Sequence, residues 1–234
     1  MSKIRLDKYL ADSGFWSRKE AKELLKQGRV CLGEAVEKDA AAKVDPEADQ
    51  VFVDGNPVGW AKFHYVMLNK PAGVLTATED RHQKTVLDLL PPEYSDLFPV
   101  GRLDKDTTGL LLLTDDGELA HRLLSPKWHV DKVYLAQIDG VADESDVLAF
   151  RKGMTLGDGT VCLPAGLEPL EPGWCKVTIR EGKYHQVKRM LAQRGKPVLK
   201  LHRLSMGSVC LDNSLKSGEY RQLTKEEVAF LENK

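Results

Sequence analysis

Four consecutive leucines, Leu110-Leu111-Leu112-Leu113, follow Thr107-Thr108-Gly109 and run into Thr114-Asp115-Asp116-Gly117. A run with no polar residue cannot alternate between a wet and a dry face. It reads as a short strand buried on both sides and ended by a turn. The segment leading into it, Gly101-Arg102-Leu103-Asp104-Lys105-Asp106, then becomes a loop braced by the core. Asp104 lies there between a basic residue and a tight Thr/Gly turn, a placement that suits a catalytic carboxylate. The plain structural reading of the same residues is a surface ion pair beside a glycine turn.

With 234 residues and 42% hydrophobic content, the chain can hold one large domain, or a small one and a medium one. Its longest apolar run is far short of the roughly 20 residues that a membrane span needs. Lys3, Arg5, Asp7 and Lys8 open the chain with no apolar stretch behind them, so neither export nor membrane anchoring is expected. Cys31, Cys162, Cys175 and Cys210 are scattered and form no C-x-x-C pair, which predicts no zinc site and reduced thiols in a cytoplasm. There is no G-x-G-x-x-G and no P-loop, so no nucleotide cofactor is expected.

The formal net charge of −1 conceals a segregated distribution. Between Met1 and Val30, eight basic residues (Lys3, Arg5, Lys8, Arg18, Lys19, Lys22, Lys26, Arg29) face four acids. From Cys31 to Trp60 the balance reverses, with Lys38 and Lys43 against seven acids. From Lys176 to Arg203, nine basic residues face Glu181 alone. Each basic run reads either as a solvated face or as a phosphate-gripping surface.

The N-terminal run has helical spacing as well as charge. Leu6 and Leu10 predict a short amphipathic helix that breaks at Ser13-Gly14. Ser17 and Glu20 form a capping box for a second helix whose stripe is Ala21, Leu24 and Leu25, ending at Gly28. Strand-like Arg29 to Leu32, the Gly33-Glu34 turn, and Val51-Phe52-Val53 running into Asp54-Gly55 predict a small sheet with a hairpin. This order resembles the S4-type RNA-binding domain over residues 1–58. The resemblance implies that Arg5, Lys8, Arg18, Lys19, Lys22 and Arg29 contact RNA phosphates, which supply affinity and position but little sequence choice. Pro57 and Gly59 interrupt periodicity, and 59–62 reads as a linker to a second domain at 63–234.

In that second domain, Asn69-Lys70-Pro71-x-Gly73 reads as a strand ending at a Pro/Gly turn, and Asp115 with Glu118 as the cap of a helix running to Ser125-Pro126. Lys132-Val133-Tyr134-Leu135-Ala136-Gln137-Ile138 reads as a strand. Ile179 to Met190 reads as strand, turn and helix, with Val187, Met190 and Leu191 on the apolar face and His185, Lys188 and Arg189 on another. Together with Gly101-Arg102-Leu103-Asp104 and the closing Gly218-Glu219-Tyr220-Arg221-x-Leu223-Thr224, these pieces resemble, in order, the pseudouridine synthases that modify ribosomal RNA, in the family of the small-subunit enzyme.

The resemblance implies an α+β fold: an S4-like head of two helices and a small sheet, then a catalytic domain with a mixed, mostly antiparallel central sheet flanked by helices. It implies that Asp104 is the essential carboxylate, that Tyr134 stacks against the target base, and that Lys188 partners Asp104. A nearby cation keeps a nucleophilic carboxylate ionised. Arg102, Arg189 and Arg203 are alternatives for that partner or RNA contacts, and His185 orients substrate. The implied reaction breaks the C–N bond of a uridine and rejoins the same uracil by a C–C bond, with no cofactor. Asp104 attacks ribose C1′ or uracil C6, or acts on C2′.

Asp104 and Asp106 also invite a glycosidase reading, but aromatic residues are only 7% of the chain and supply no sugar cleft. The expected partner is ribosomal RNA in a partly assembled small-subunit particle, met by a monomer. Large-subunit relatives often carry a long basic C-terminal extension, whereas this chain stops just after a short helix begun by Thr224 and ending in Glu-Asn-Lys, so 16S RNA is preferred to 23S. A non-catalytic assembly factor that keeps the fold is the reading from another functional class.

Overall fold

The computed structural model describes residues 3–13, 15–60 and 63–232. They divide into two compact units, Met1–His64 with Pro91–Asp96, and Tyr65–Leu90 with Leu97–Lys234. The expected break at Gly14, the linker residues Ala61 and Lys62, and the terminal Asn233 and Lys234 lie outside the described residues.

In the first unit, helices Leu6–Asp12 and Arg18–Lys26 form where the apolar spacing predicts them. The capping box closes on both sides: Glu20 N–H donates to Ser17 Oγ at 3.3 Å, and Ser17 N–H to Glu20 Oε2 at 2.8 Å. Leu6, Leu10, Ala21, Leu24 and Leu25 bury against Val30, Val51 and Val53 of an antiparallel sheet, each buried Leu or Val contributing on the order of 2 kcal/mol. That sheet runs Ala35–Val36, Val30–Leu32, Val51–Val53, Asn56–Val58. Pro57, read from sequence as an interruption, therefore lies inside a strand, paired with Phe52. The strand is at the sheet edge, where the missing N–H of proline leaves no ladder bond unmade.

The second unit is built on a nine-stranded sheet whose main path runs Gly166–Pro169, Trp174–Ile179, Lys132–Ile138, Val198–Met206, Thr108–Thr114, Tyr65–Lys70, Tyr220–Gln222. Every pairing along it is antiparallel except Thr108–Thr114 with Val198–Met206, where His202 sits opposite Thr108 and Arg203 opposite Gly109. The mixed, mostly antiparallel sheet is thus as the resemblance implies. Leu110 to Leu113 are all buried, as a central strand requires.

At the parallel junction the backbones approach closely. Gly109 has φ +99, and a Cβ there would lie 2.7 Å from Arg203 N and nearer still to its carbonyl oxygen. The helix expected to be capped by Asp115 starts one residue later, at Gly117–Leu124, with Asp116 as its cap, accepting from Leu119 N–H at 3.0 Å. The shift follows from the strand end, because Thr114 Oγ1 accepts the Asp116 N–H at 3.0 Å and holds Asp116 in extended conformation. Among the described residues, no helix is long and apolar enough to cross a membrane.

Candidate active site

Asp104 lies on the loop between strands Phe98–Pro99 and Thr108–Thr114, closed by a turn in which Thr107 N–H donates to Asp104 O at 3.1 Å. Buried Leu103 anchors this loop. Its N–H donates to Thr76 Oγ1 at 3.2 Å, and its carbonyl accepts from the same hydroxyl at 2.8 Å. Below the loop, fully buried Lys70 donates through Nζ to the carbonyls of Pro71, Asp104, Lys105 and Thr107 at 3.0 to 3.3 Å. Gly73 N–H adds a bond to Lys105 O at 2.8 Å. The Asn69-Lys70-Pro71-x-Gly73 motif is a strand ending at a turn, as read, but it also cradles the Asp104 loop.

The cation that meets Asp104 is Lys188. Helix Gln186–Gln193 buries Val187, Met190 and Leu191, which turns Lys188 toward the loop. Its Nζ lies 2.8 Å from Asp104 Oδ2 and 2.6 Å from Asp106 Oδ1. Burial opposes the Lys188 charge, but bonds to the two carboxylates outweigh it and raise its pKa. Lys188 in turn holds the Asp106 carboxyl below the usual carboxylate range. His185 stands on the other side, Nε2 3.4 Å from Asp104 Oδ1. Tyr134, 7% exposed at the middle of its strand, lines with Asp104, Arg102 and Thr107 a cleft of about 80 Å³. Asp104, Tyr134, Lys188, His185 and exposed Arg102 therefore come together at one place.

Two expected residues do not join them at the surface. Arg189, adjacent to Lys188 in sequence, pairs with Asp158 and donates to Tyr184 O at 3.2 Å. Arg203 is 2% exposed, its Nε donating to Leu110 O at 2.7 Å. Its position opposite Gly109 takes it into the sheet rather than onto a phosphate-facing surface.

The basic run around them is largely neutralised in three dimensions: Lys176 meets Glu168, Arg180 meets Asp131, Lys183 meets Glu181, and Arg194 and Lys196 converge on Asp146. In the first unit Arg5 pairs with Asp7 and Arg29 with Asp54, at 2.9 Å each. Lys8, Arg18, Lys19 and Lys22 are exposed and make no ion pair among the described residues.

Sequence reasoning passed over three residues. Lys70 carried a signal, a lysine continuing the buried run Val66-Met67-Leu68. Buried Glu181 and Gln186 carried none: Glu181 Oε1 accepts from Leu163 N–H at 2.7 Å and Gln186 Nε2 at 2.8 Å, and Gln186 Oε1 accepts from Lys183 N–H at 3.0 Å. This network shapes the turn that presents His185. Among the described residues, no group of three or more His, Cys, Asp or Glu is arranged to hold a metal ion.

Residues 64–193, more than half of the chain, match the model of the RNA pseudouridylate synthase family. The chain belongs to that family. Residues 4–51 match the S4 domain. A Bacillus subtilis protein named as an uncharacterized RNA pseudouridine synthase is 49% identical, the match covering 97% of this chain and 98% of that protein. Ribosomal small subunit pseudouridine synthase A of Vibrio cholerae is 43% identical, covering 97% and 99%, and that of Escherichia coli 42%, also covering 97% and 99%. A crystal structure of a pseudouridylate synthase superposes with a TM-score of 0.69 at 38% identity, covering 97% of this chain and 99% of that one. In this synthase, the Asp104 cleft sits at the sheet's one parallel pairing along its main path, where loop, strand and helix N-terminus converge.

Proposed function

We propose that this synthase converts one uridine of small-subunit ribosomal RNA to pseudouridine, with Asp104 as nucleophile on a uridine turned out of its stack. The carrying observation is the pairing of Lys188 with Asp104 at 2.8 Å in a cleft walled by Tyr134. An enzyme acting on a base must extract it and hold its π-face against a side chain, which is the role assigned to Tyr134. The N1–C1′ bond breaks, the uracil turns, and a C5–C1′ bond forms. C5 gives up its proton and N1 ends with one, so no electrons change hands. Whether Asp104 addresses C1′, C6 or C2′, Lys188 supplies the positive charge beside it.

The preference for small-subunit RNA is supported by the relatives named for that substrate. We assign residues 1–58 to RNA gripping, mainly through Lys8, Arg18, Lys19 and Lys22, 59–62 to a linker and 63–234 to catalysis. The substrate is a partly assembled particle, met by a monomeric enzyme.

The test is pseudouridine mapping, by chemical adduct and reverse-transcription stop, on small- and large-subunit RNA and on partly assembled particles. Incubation with wild type should give one stop in small-subunit RNA that Asp104→Asn does not produce. A stop only in large-subunit RNA would overturn the substrate. Binding with no stop anywhere would favour an assembly factor.

A further inference from the structure

Tyr184 has 76% of its surface exposed, yet its ring is not loose. It stacks on His185 with centroids 3.9 Å apart and planes 16° from parallel. His185 in turn brings Nε2 to 3.4 Å from Asp104 Oδ1. A pile of two rings thus starts beside the reacting carboxylate and ends in solvent.

The surrounding turn is rigidly built. His185 adopts φ 48, ψ 34, a left-handed conformation that side-chain-bearing residues adopt at a cost and keep only where neighbours over-determine it. The neighbours are present: the buried Glu181–Gln186 pair fixes the turn from within. Arg189, held by Asp158, bonds the Tyr184 carbonyl from outside. An aromatic ring held still at the mouth of a cleft, one face covered and the rest open, loses little side-chain freedom when a flat group settles on it. Every RNA base has such a flat face, and base–aromatic stacking is indifferent to sequence.

We propose that the open face of Tyr184 stacks on a base neighbouring the flipped-out uridine, so that the Tyr184–His185 pair holds the flanking strand in register while Asp104 acts. This inference rests on the reading of the chain as a uridine-flipping synthase. Tyr184 is a binding and positioning residue in it, and Asp104 remains the reacting group.

The test compares wild type, Tyr184→Phe and Tyr184→Leu on partly assembled particles reconstituted on small-subunit RNA containing the mapped uridine, and on particles whose RNA carries an abasic nucleotide just 5′ or just 3′ of it. Tyr184→Leu should raise KM roughly tenfold, the scale of one lost stacking contact, with kcat within about twofold, and Tyr184→Phe should match wild type. One of the two abasic substrates should raise the wild-type KM by a similar factor and leave that of Tyr184→Leu unchanged. Unaltered melting temperatures would exclude misfolding, since the side chain is exposed. Equal kinetics for Tyr184→Leu and wild type, a loss in kcat alone, or additive losses with both abasic substrates would overturn the inference while leaving the reaction standing. A wild-type enzyme inert on every RNA and every partly assembled particle would overturn the reaction itself, and the inference with it.

Discussion

Lys70 holds Asp104 by its backbone and not by its carboxylate: Nζ lies 3.2 Å from the Asp104 carbonyl oxygen, and the same ammonium serves the carbonyls of Pro71, Lys105 and Thr107. Three N–H groups shared among four acceptors make a rigid knot beneath the loop. The arrangement leaves the Asp104 carboxylate to Lys188 and His185 above.

Burial, with repulsion from Lys188, pushes the Lys70 pKa down to about 8 against the attraction of Asp106 and Asp104. Between about 8 and 10.5 the unfolded chain therefore holds a proton that the folded chain has lost. The stability contribution of this titration is fully present above 10.5 and is lost as pH falls through about 8. Urea unfolding of wild type and Lys70→Met should show a gap that widens in favour of wild type as pH rises from 7.5 to 10. A gap independent of pH would contradict the burial argument. At pH 7.5, where the gap is smallest, Lys70→Met should destabilise by about 3 kcal/mol, because it strands buried carbonyls.

Two carboxylates share Lys188, but the Asp104 side chain is 26% exposed and the Asp106 side chain 76%. Asp104→Asn should abolish pseudouridine formation while RNA affinity stays within about threefold. Asp106→Asn should cost no more than about tenfold in rate, since it removes a partner of Lys188 and not the proposed nucleophile. Single-turnover rates decide the matter, and equal losses at both positions would revive a paired-carboxylate mechanism.

Gly109→Ala places a methyl group against the Arg203 backbone at a φ that disfavours any side chain. The variant should lose more than about 2 kcal/mol in urea unfolding. A loss under about 0.5 kcal/mol would mean that the two parallel strands separate without penalty.

Replacing Lys8, Arg18, Lys19 and Lys22 together by glutamine removes four exposed helix-borne cations that make no ion pair among the described residues. If each meets a phosphate, the slope of log affinity against log salt should become shallower by about 3. An unchanged slope would deny the head its RNA-gripping role. Replacing Arg5 and Arg29 instead should alter the slope less, because Asp7 and Asp54 already neutralise them.

The same contrast separates what could be read in the residues from what could not. The Ser17–Glu20 box, the Ala21, Leu24 and Leu25 stripe, the leucine strand and the Val187, Met190 and Leu191 face were legible because each depends on partners within a few positions along the chain. The cations from Lys176 to Arg203 were legible only as a basic run, and the structure matches them with Glu168 on the neighbouring strand and with Asp131, Asp143, Asp146 and Asp158 from distant stretches.

By itself, the sequence determined the periodicities, the caps and the ordered motifs, including the carboxylate at Asp104 and a basic helix face to meet it. Only the tertiary structure decided that Lys188 takes that carboxylate while its neighbour Arg189 turns to Asp158, that Arg203 goes into the sheet, and that Lys70 knots the loop from below. The reason is geometric: successive residues on a helix point about 100° apart, so which of two adjacent cations reaches a loop depends on how the helix packs. That packing is set by the burial of Val187, Met190 and Leu191 together.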